Sequence, residues 1–408
     1  MLPRARRVLW KRPLSHEESA EPPAEPRGLI LLLAIAVGIA AANLYYAQPL
    51  AAAIGADLHA SVAEVGTAMT LTQVGYALGM VLLVPLGDGR ERRSMIVATA
   101  ASSVVALVLV ARSGSILVLT GASFLVGVAC SVVQMIIPYA VALVRPEARG
   151  RVVGGVMAGL LAGILLSRTA SGAIGAALGW RVVYLIAAGA MAVLTVVLRI
   201  AMPPREPAER LRWTAILRSL ATVLVTEPTL RRRAIVGALG MASFSLFWSM
   251  LSFHVGALGY GSAVAGMFGA IGVVGILVAP LAGRLAVGPA PARINVGGLA
   301  MAAASFLVFA AGARSLVAIG IGVVLLDAGV QASHLTNQTV IFGLRPELRS
   351  RLNALYMVAY FAGGAFGTFA GSIAWSMSGW SAVCAVGATF AALGILPLLG
   401  EDTGPGAA

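Results

Sequence analysis

Arg145-Pro146-Glu147-Ala148-Arg149-Gly150-Arg151 returns two hundred residues later as Arg345-Pro346-Glu347-Leu348-Arg349-Ser350-Arg351. Gly179-Trp180 returns at the same offset as Gly379-Trp380, so the two copies align without a gap. Each copy lies between long apolar runs. Working outward from this motif, the chain reads as two similar halves embedded in a membrane, related as a parallel repeat.

The composition excludes a soluble domain. Hydrophobic residues make up 59% of the 408 residues and charged residues only 11%, and the mean hydropathy is +0.92. A water-soluble surface needs far more charge. A helix needs about 20 mostly apolar residues to cross the hydrocarbon core. By that measure we read twelve spans: 28–49, 62–86, 94–111, 116–144, 152–177, 182–201, 234–257, 263–283, 294–312, 316–344, 352–375 and 381–399. The fold class predicted is an all-α polytopic membrane protein, its twelve transmembrane helices forming two pseudo-symmetric six-helix bundles. The domains are a tail at 1–27, a bundle at 28–201, a linker at 202–233, a second bundle at 234–400 and a tail at 401–408. Both tails are polar and predict disorder.

Charge predicts the orientation. The basic residues fall in alternate connections, and only Arg112, Arg181 and Arg314 lie on the other side. The positive-inside rule then places both termini in the cytoplasm. The net charge of +13 is a topology signal; no basic soluble domain exists to bind nucleic acid. In the linker, Trp213, Ile216, Leu217, Leu220 and Leu224 share one face of a helix, which predicts an amphipathic segment on the inner leaflet. Cys130 and Cys384 fall inside different spans and read as core residues.

Polar side chains inside hydrocarbon cost free energy and mark cavities or partners. They avoid spans 3, 6, 9 and 12, which therefore face lipid. Asp327, Gln331, His334 and Gln338 stand at i, i+4, i+7 and i+11 of span 10, along one stripe. Such a stripe is either the wall of a wet passage or a buried network between helices. Arg168 lies two-thirds of the way across span 5 and needs an anion, carbonyls or water. Asp327 is the sole carboxylate predicted at that depth. Arg168, Asp327 and His334 are thus the proton-coupling candidates, and an Arg168–Asp327 ion pair is one expectation. A second is that Arg168 binds an anionic solute or snorkels outward. Asn43, Gln73, Tyr76, Gln134, Gln331, Gln338 and Asn353 are candidates for lining a solute cavity. Glu64 and His254 lie near the outer ends of spans 2 and 7. The glycines of spans 5, 8 and 11 let helices approach and slide.

Twelve spans in two halves, a long central connection and a basic loop after span 2 resemble the major facilitator superfamily. The loop Val84-Pro85-Leu86-Gly87-Asp88-Gly89-Arg90-Glu91-Arg92-Arg93 resembles its loop signature, with Asp88, Arg92 and Arg93 matching. The tract Asn43-Leu44-Tyr45-Tyr46-Ala47-Gln48-Pro49-Leu50 looks like the bacterial sugar- or drug-efflux branch. The resemblance implies a cytoplasmic gate built from Asp88, Arg92, Arg93, Arg145, Glu147, Arg149, Arg345, Glu347 and Arg349. Ser123 stands where the drug-antiporter signature has an arginine, and Ile164 where it has a proline. Proton coupling would therefore fall to Asp327 and Arg168.

These readings predict a secondary transporter of the bacterial inner membrane that exports a small organic solute with proton coupling. An uncoupled facilitator or an uptake symporter of the same fold is the rival. We expect a monomer in the lipid bilayer, with no cofactor, no metal, no nucleic-acid partner and no enzyme activity. Lys11 is the sole lysine, so no phosphate-binding Gly-x-x-x-x-Gly-Lys loop exists, and the four histidines at 16, 59, 254 and 334 are scattered.

Overall fold

In the computed structural model, residues 27–205, 213–272, 291–345 and 348–399 are described. The first half comprises α1 (Arg27–Ala42), α2 (Ala47–Asp57), α3 (Val62–Gly89), α4 (Arg92–Ala111), α5 (Ile116–Cys130), α6 (Val132–Ala142), α7 (Arg149–Leu178) and α8 (Trp180–Ala201). Then follow α9 (Trp213–Thr226), α10 (Pro228–Ala257), α11 (Ser262–Ile271), α12 (Pro291–Ala311), α13 (Leu316–Leu344) and α14 (Arg349–Leu393). Among the described residues there is no strand, and ten helices are long and apolar enough to cross a membrane. One of them, α14, holds two predicted spans, divided by non-helical backbone at Ser378 and Gly379. The predicted eighth span begins as α11; its second half lies outside the described residues, as do both tails.

The repeat extends to the backbone. Gly179 (φ 87°) and Gly379 (φ 62°) turn the chain in a conformation that suits glycine alone. His59 (φ 52°) and Gly259 (φ 88°) are another pair at the same offset. Ser115 caps α5 through the Val118 N–H, and Ser315 caps α13 through the Ala318 N–H. Inside the repeated motif, Ala148 N–H bonds Arg145 C=O and Leu348 N–H bonds Arg345 C=O, each at 3.0 Å.

The first predicted span is broken. Pro49 has no N–H to continue the helix and crowds the carbonyl four residues back, at Tyr45. Residues 43–46 form turns instead, with Leu44 N–H bonding Ala41 C=O and Tyr45 N–H bonding Ala42 C=O. The turn delivers Tyr45 and Gln48 inward.

Lipid tails are as apolar as leucine, so close packing rather than water exclusion holds membrane helices together. Within the halves α1 packs on α7 and α10 on α14. Between the halves α3 packs on α14 and α7 on α11. The α7–α11 crossing is backbone on backbone: a Cβ at Gly172 would stand 2.8 Å from Gly266 Cα. Thr169 donates to Gly266 C=O (3.2 Å) and Ser262 to Gly172 C=O (3.1 Å). Near the pseudo-twofold axis, Ala52 N–H donates to Ser252 Oγ (3.2 Å), which in turn donates to Pro49 C=O (3.0 Å). All these bonds lie toward the end of the molecule opposite the basic loops, so the halves are closed there.

Candidate functional site

Helix geometry puts four side chains at one level. At about 1.5 Å per residue, Arg168, Gln48, Trp248 and Asp327 each lie about 14–17 Å from the nearest helix end on the closed side. That is mid-depth in a bilayer whose core is about 30 Å thick. Arg168 comes from α7 and Gln48 from α2, both in the first half. Trp248 (α10) and Asp327 (α13) come from the second.

Arg168 is 1% exposed and Asp327 5%. They interact electrostatically, but the expected direct ion pair is not formed, because Trp248 lies between them. The Arg168 guanidinium sits 4.0 Å from the Trp248 ring centroid, while Trp248 Nε1–H donates to Asp327 Oδ1 at 3.2 Å. Arg168 Nε–H also donates to Gln48 Oε1 at 2.7 Å, and Tyr45 and Phe244 complete an aromatic box around it. Arg168 Nη2 has no hydrogen-bond partner. Gln48 and Trp248 occupy equivalent positions in the two halves, so symmetry-related residues grip one cation from two sides.

The repeat also explains how Asp327 fits. In the first half, Gly127 packs against the Thr72 backbone. In the second, Asp327 replaces Gly127 and Gly272 replaces Thr72. A Cβ at Gly272 would stand 2.7 Å from Asp327 Oδ2, so the exchange makes room for the carboxylate. Gly269 does the same for Arg168, whose Cβ is 2.6 Å from where a Cβ at Gly269 would lie.

Farther toward the basic end, the stripe on α13 loosens. Gln331, His334 and Gln338 are half-buried. A ring nitrogen of His334, Nδ1, is 2.9 Å from the Tyr356 hydroxyl, and the ring packs on Tyr360. Tyr360 continues to Phe361 and, across the halves, to Tyr76 at 4.5 Å. Tyr76 OH accepts from Gln134 Nε2 at 3.0 Å. Gln73 Nε2 donates to Thr368 Oγ1 of the other half at 2.8 Å. Gln73, Tyr76, Tyr45 and Gln48 meet Met241, Ser245 and Phe361 around a cavity of about 10 Å³, room for a single water.

Other predicted residues are placed elsewhere. Asn43 is buried in the turn after α1, and neither amide atom has a hydrogen-bond partner. Gln338 Nε2 is 3.5 Å from Asn353 Oδ1, at the limit of a hydrogen bond. Asn337 belongs to a structural network: Asn295 donates to it, and Ser333 donates to Asn295, each at 2.6 Å. Glu64 closes a capping box with Ser61 at the start of α3. His254 stacks on Trp380 at 3.9 Å and meets Ala313 C=O at 2.7 Å, a packing role.

The gate residues divide. Arg93 Nη1 donates to Met202 C=O (3.2 Å) and Arg349 Nε to Phe342 C=O (2.9 Å). Arg345 Nε lies 3.0 Å from Glu227 Oε1. Arg145 and Arg149 are exposed, and Arg92 begins α4. The side chain of Asp88 and the whole of Glu347 lie outside the described residues. Glu91, which the sequence reading passed over, caps α4 by accepting from the Arg93 and Ser94 N–H groups. It also accepts from Arg205 N–H (3.1 Å), tying the linker to this loop. Partial burial works against its charge. Bonds from the Ser94 hydroxyl and the Arg205, Ser94 and Arg93 N–H groups outweigh that and hold its carboxyl at about 2.

The family model described as Major Facilitator Superfamily matches residues 33–368. The chain belongs to that superfamily. It is 38% identical over 370 residues to the "Uncharacterized transporter YgaY" of Escherichia coli O157:H7, covering 90% of this chain and 94% of that one. It is 32% identical over 374 residues to the "Probable transporter SCO4007" of Streptomyces coelicolor, covering 91% and 87%. Among solved structures, the D-xylose-proton symporter superposes with a TM-score of 0.75 at 12% identity, covering 92% of this chain and 98% of that one. The protein is a multi-pass membrane transporter of small solutes, built on the two-domain fold of this superfamily.

Proposed function

We propose that this transporter exports a small organic solute from the bacterial cytoplasm in exchange for protons, by alternating access between its two halves. The observation that carries the reading is the buried carboxylate of Asp327, joined through Trp248 to the buried cation Arg168 of the other half. An ionisable side chain buried at mid-membrane marks a transport pathway or proton relay. As a carboxylate, Asp327 accepts from the Trp248 N–H and attracts Arg168 across the seam. Protonation removes that attraction, so proton binding and the approach of the halves are linked.

With the basic loops in the cytoplasm, the closed end is the periplasmic one. The solute would enter from the cytoplasm past Gln338, His334 and Gln331. It would bind among Gln48, Gln73, Gln134 and Tyr76, where amides and ring faces suit a polar organic molecule. The small cavity there must widen to admit it. The inner membrane, cytoplasmic termini and a monomeric carrier complete this reading. The domains are those of the sequence reading, with 202–233 as a tether. Ser123 and Ile164, departures from the antiporter signatures, favour the uncoupled facilitator as the second reading.

The test is to add pooled solutes to detergent-solubilised protein in weakly buffered solution with a pH-indicator dye. Solute binding should move protons in the wild type and not in Asp327→Asn, which should still bind solute. Solute binding with no proton movement in the wild type would leave the facilitator.

A further inference from the structure

A second site lies at the basic end, away from the transport seam. Between α9 and the start of α14 is a hollow of about 550 Å³. Arg218, Arg345 and Arg351 line it together with the hydroxyl residues Ser219, Thr222 and Thr226. Its floor is apolar, made by Val223 and Leu348. Arg345 has a counter-charge in Glu227. Arg218 and Arg351 have no carboxylate partner among the described residues.

The sequence explains why the site exists in one half only. Arg345 and Arg351 belong to the repeated motif, and the first half has the equivalent Arg145 and Arg151. Arg218 and the three hydroxyl residues come from α9, at i, i+1, i+4 and i+8, one polar stripe of the helix. The linker therefore supplies what the repeat lacks. Leu224, off that stripe, is 42% exposed. An exposed apolar face beside a basic one is the pattern of a helix resting on an anionic membrane surface.

We propose that this hollow binds a phosphate group of net negative charge, held by Arg218, Arg345 and Arg351 with hydroxyl donors at its edge. Arginine is the side chain best matched to phosphate, presenting parallel N–H groups to its oxygens. Ser219 and Thr226 add hydroxyl donors, whereas the Thr222 hydroxyl already donates to Arg218 C=O at 3.0 Å. The apolar floor suits the glycerol and upper acyl chain of an anionic phospholipid; free inorganic phosphate is the other source of the same chemistry. Occupancy would clamp α9 to α14 and, through Glu227 and Arg345, to the start of α10. The linker would then follow the second half as it moves. This inference does not depend on proton coupling or on the direction of transport.

The experiment compares purified full-length wild type with Arg218→Gln/Arg351→Gln. Each is placed in nanodiscs of phosphatidylcholine with or without phosphatidylglycerol, and separately titrated with inorganic phosphate in detergent. Retained lipid is read by native mass spectrometry, and phosphate binding by the thermal unfolding midpoint. Retention of phosphatidylglycerol by the wild type, at least about ten-fold weaker in the variant, supports the site with a lipid source. A phosphate-dependent midpoint shift lost in the variant supports it with a soluble source. Arg218 is exposed and Arg351 half-buried, and Arg218→Lys/Arg351→Lys, which keeps the charge, should recover part of the binding. Equal retention by wild type and variant, with no phosphate-dependent shift, overturns the proposal.

Discussion

Replacing Gly266 by alanine should open the closed end of the seam. A Cβ at Gly266 would lie 2.6 Å from Arg168 C=O and 2.9 Å from Gly172 Cα, against 3.4 Å or more in ordinary contact. Both obstacles are backbone, so no side chain can swing aside. α7 and α11 must part, or the closed state must bear the strain of overpacking, about 1–3 kcal/mol. An open state has no such contact and gains by the difference, so the open-to-closed ratio should rise about 5- to 150-fold. The reporter is Ser252→Cys, at a position 4% exposed in the closed seam. The native Cys130 and Cys384 are buried and give a low background. Labelling by a membrane-impermeant maleimide should be faster by that factor in Gly266→Ala/Ser252→Cys than in Ser252→Cys alone. An unchanged rate in protein that elutes as the wild type does would refute the reasoning, because the close contact would then not hold the seam shut.

Three further predictions follow from single contacts. Trp248→Phe keeps an aromatic ring beside Arg168 but removes the N–H on Asp327, a bond to a charged group worth about 1.5–3 kcal/mol. Solute-driven proton flux should fall at least about ten-fold, and further in Trp248→Leu; wild-type flux in the phenylalanine variant would remove Trp248 from the mechanism. Gly379→Ala forces a side chain into backbone space reserved for glycine, at a cost of about 1–3 kcal/mol; a thermal midpoint equal to the wild type would contradict the positive φ. Glu91 is held at about 2 in the folded protein, below its ordinary 4.5. Its stabilisation is therefore complete above pH 4.5 and is lost as pH falls from there toward 2. The unfolding midpoint should drop more steeply over that range in the wild type than in Glu91→Gln, and equal slopes would show that the cap and linker bonds do not matter.

Much of the architecture was legible because a gapless repeat leaves matching marks. Gly179-Trp180 and Gly379-Trp380 were visible as letters, and the two glycines make corresponding turns. Arg168 and Asp327 stood out because a charge within an apolar run needs an explanation. What joins them did not. Trp248 is an apolar-looking residue in an apolar span, and its N–H has meaning only once Asp327 is known to face it. Gln48 and Trp248 occupy equivalent positions, yet no shared residue type announces it, since one grips by a hydrogen bond and the other by a ring face. Glu64 was placed only near the outer end of span 2, although Ser61-Val62-Ala63-Glu64 is a capping-box pattern ahead of an apolar run. Glycine spacing on α11 was noticed, but that Gly269 faces Arg168 and Gly272 faces Asp327 depends on helix rotation, which periodicity leaves open.

The most direct test of proton-linked transport is internal pH in sealed liposomes holding the purified protein, with an imposed pH gradient and pooled small solutes outside. The account predicts proton movement that requires both a solute and Asp327, and is therefore absent in Asp327→Asn. Solute crossing at equal rates in wild type and Asp327→Asn, with no proton movement in either, would contradict it and reduce Asp327, Trp248 and Arg168 to a structural bridge between the two halves.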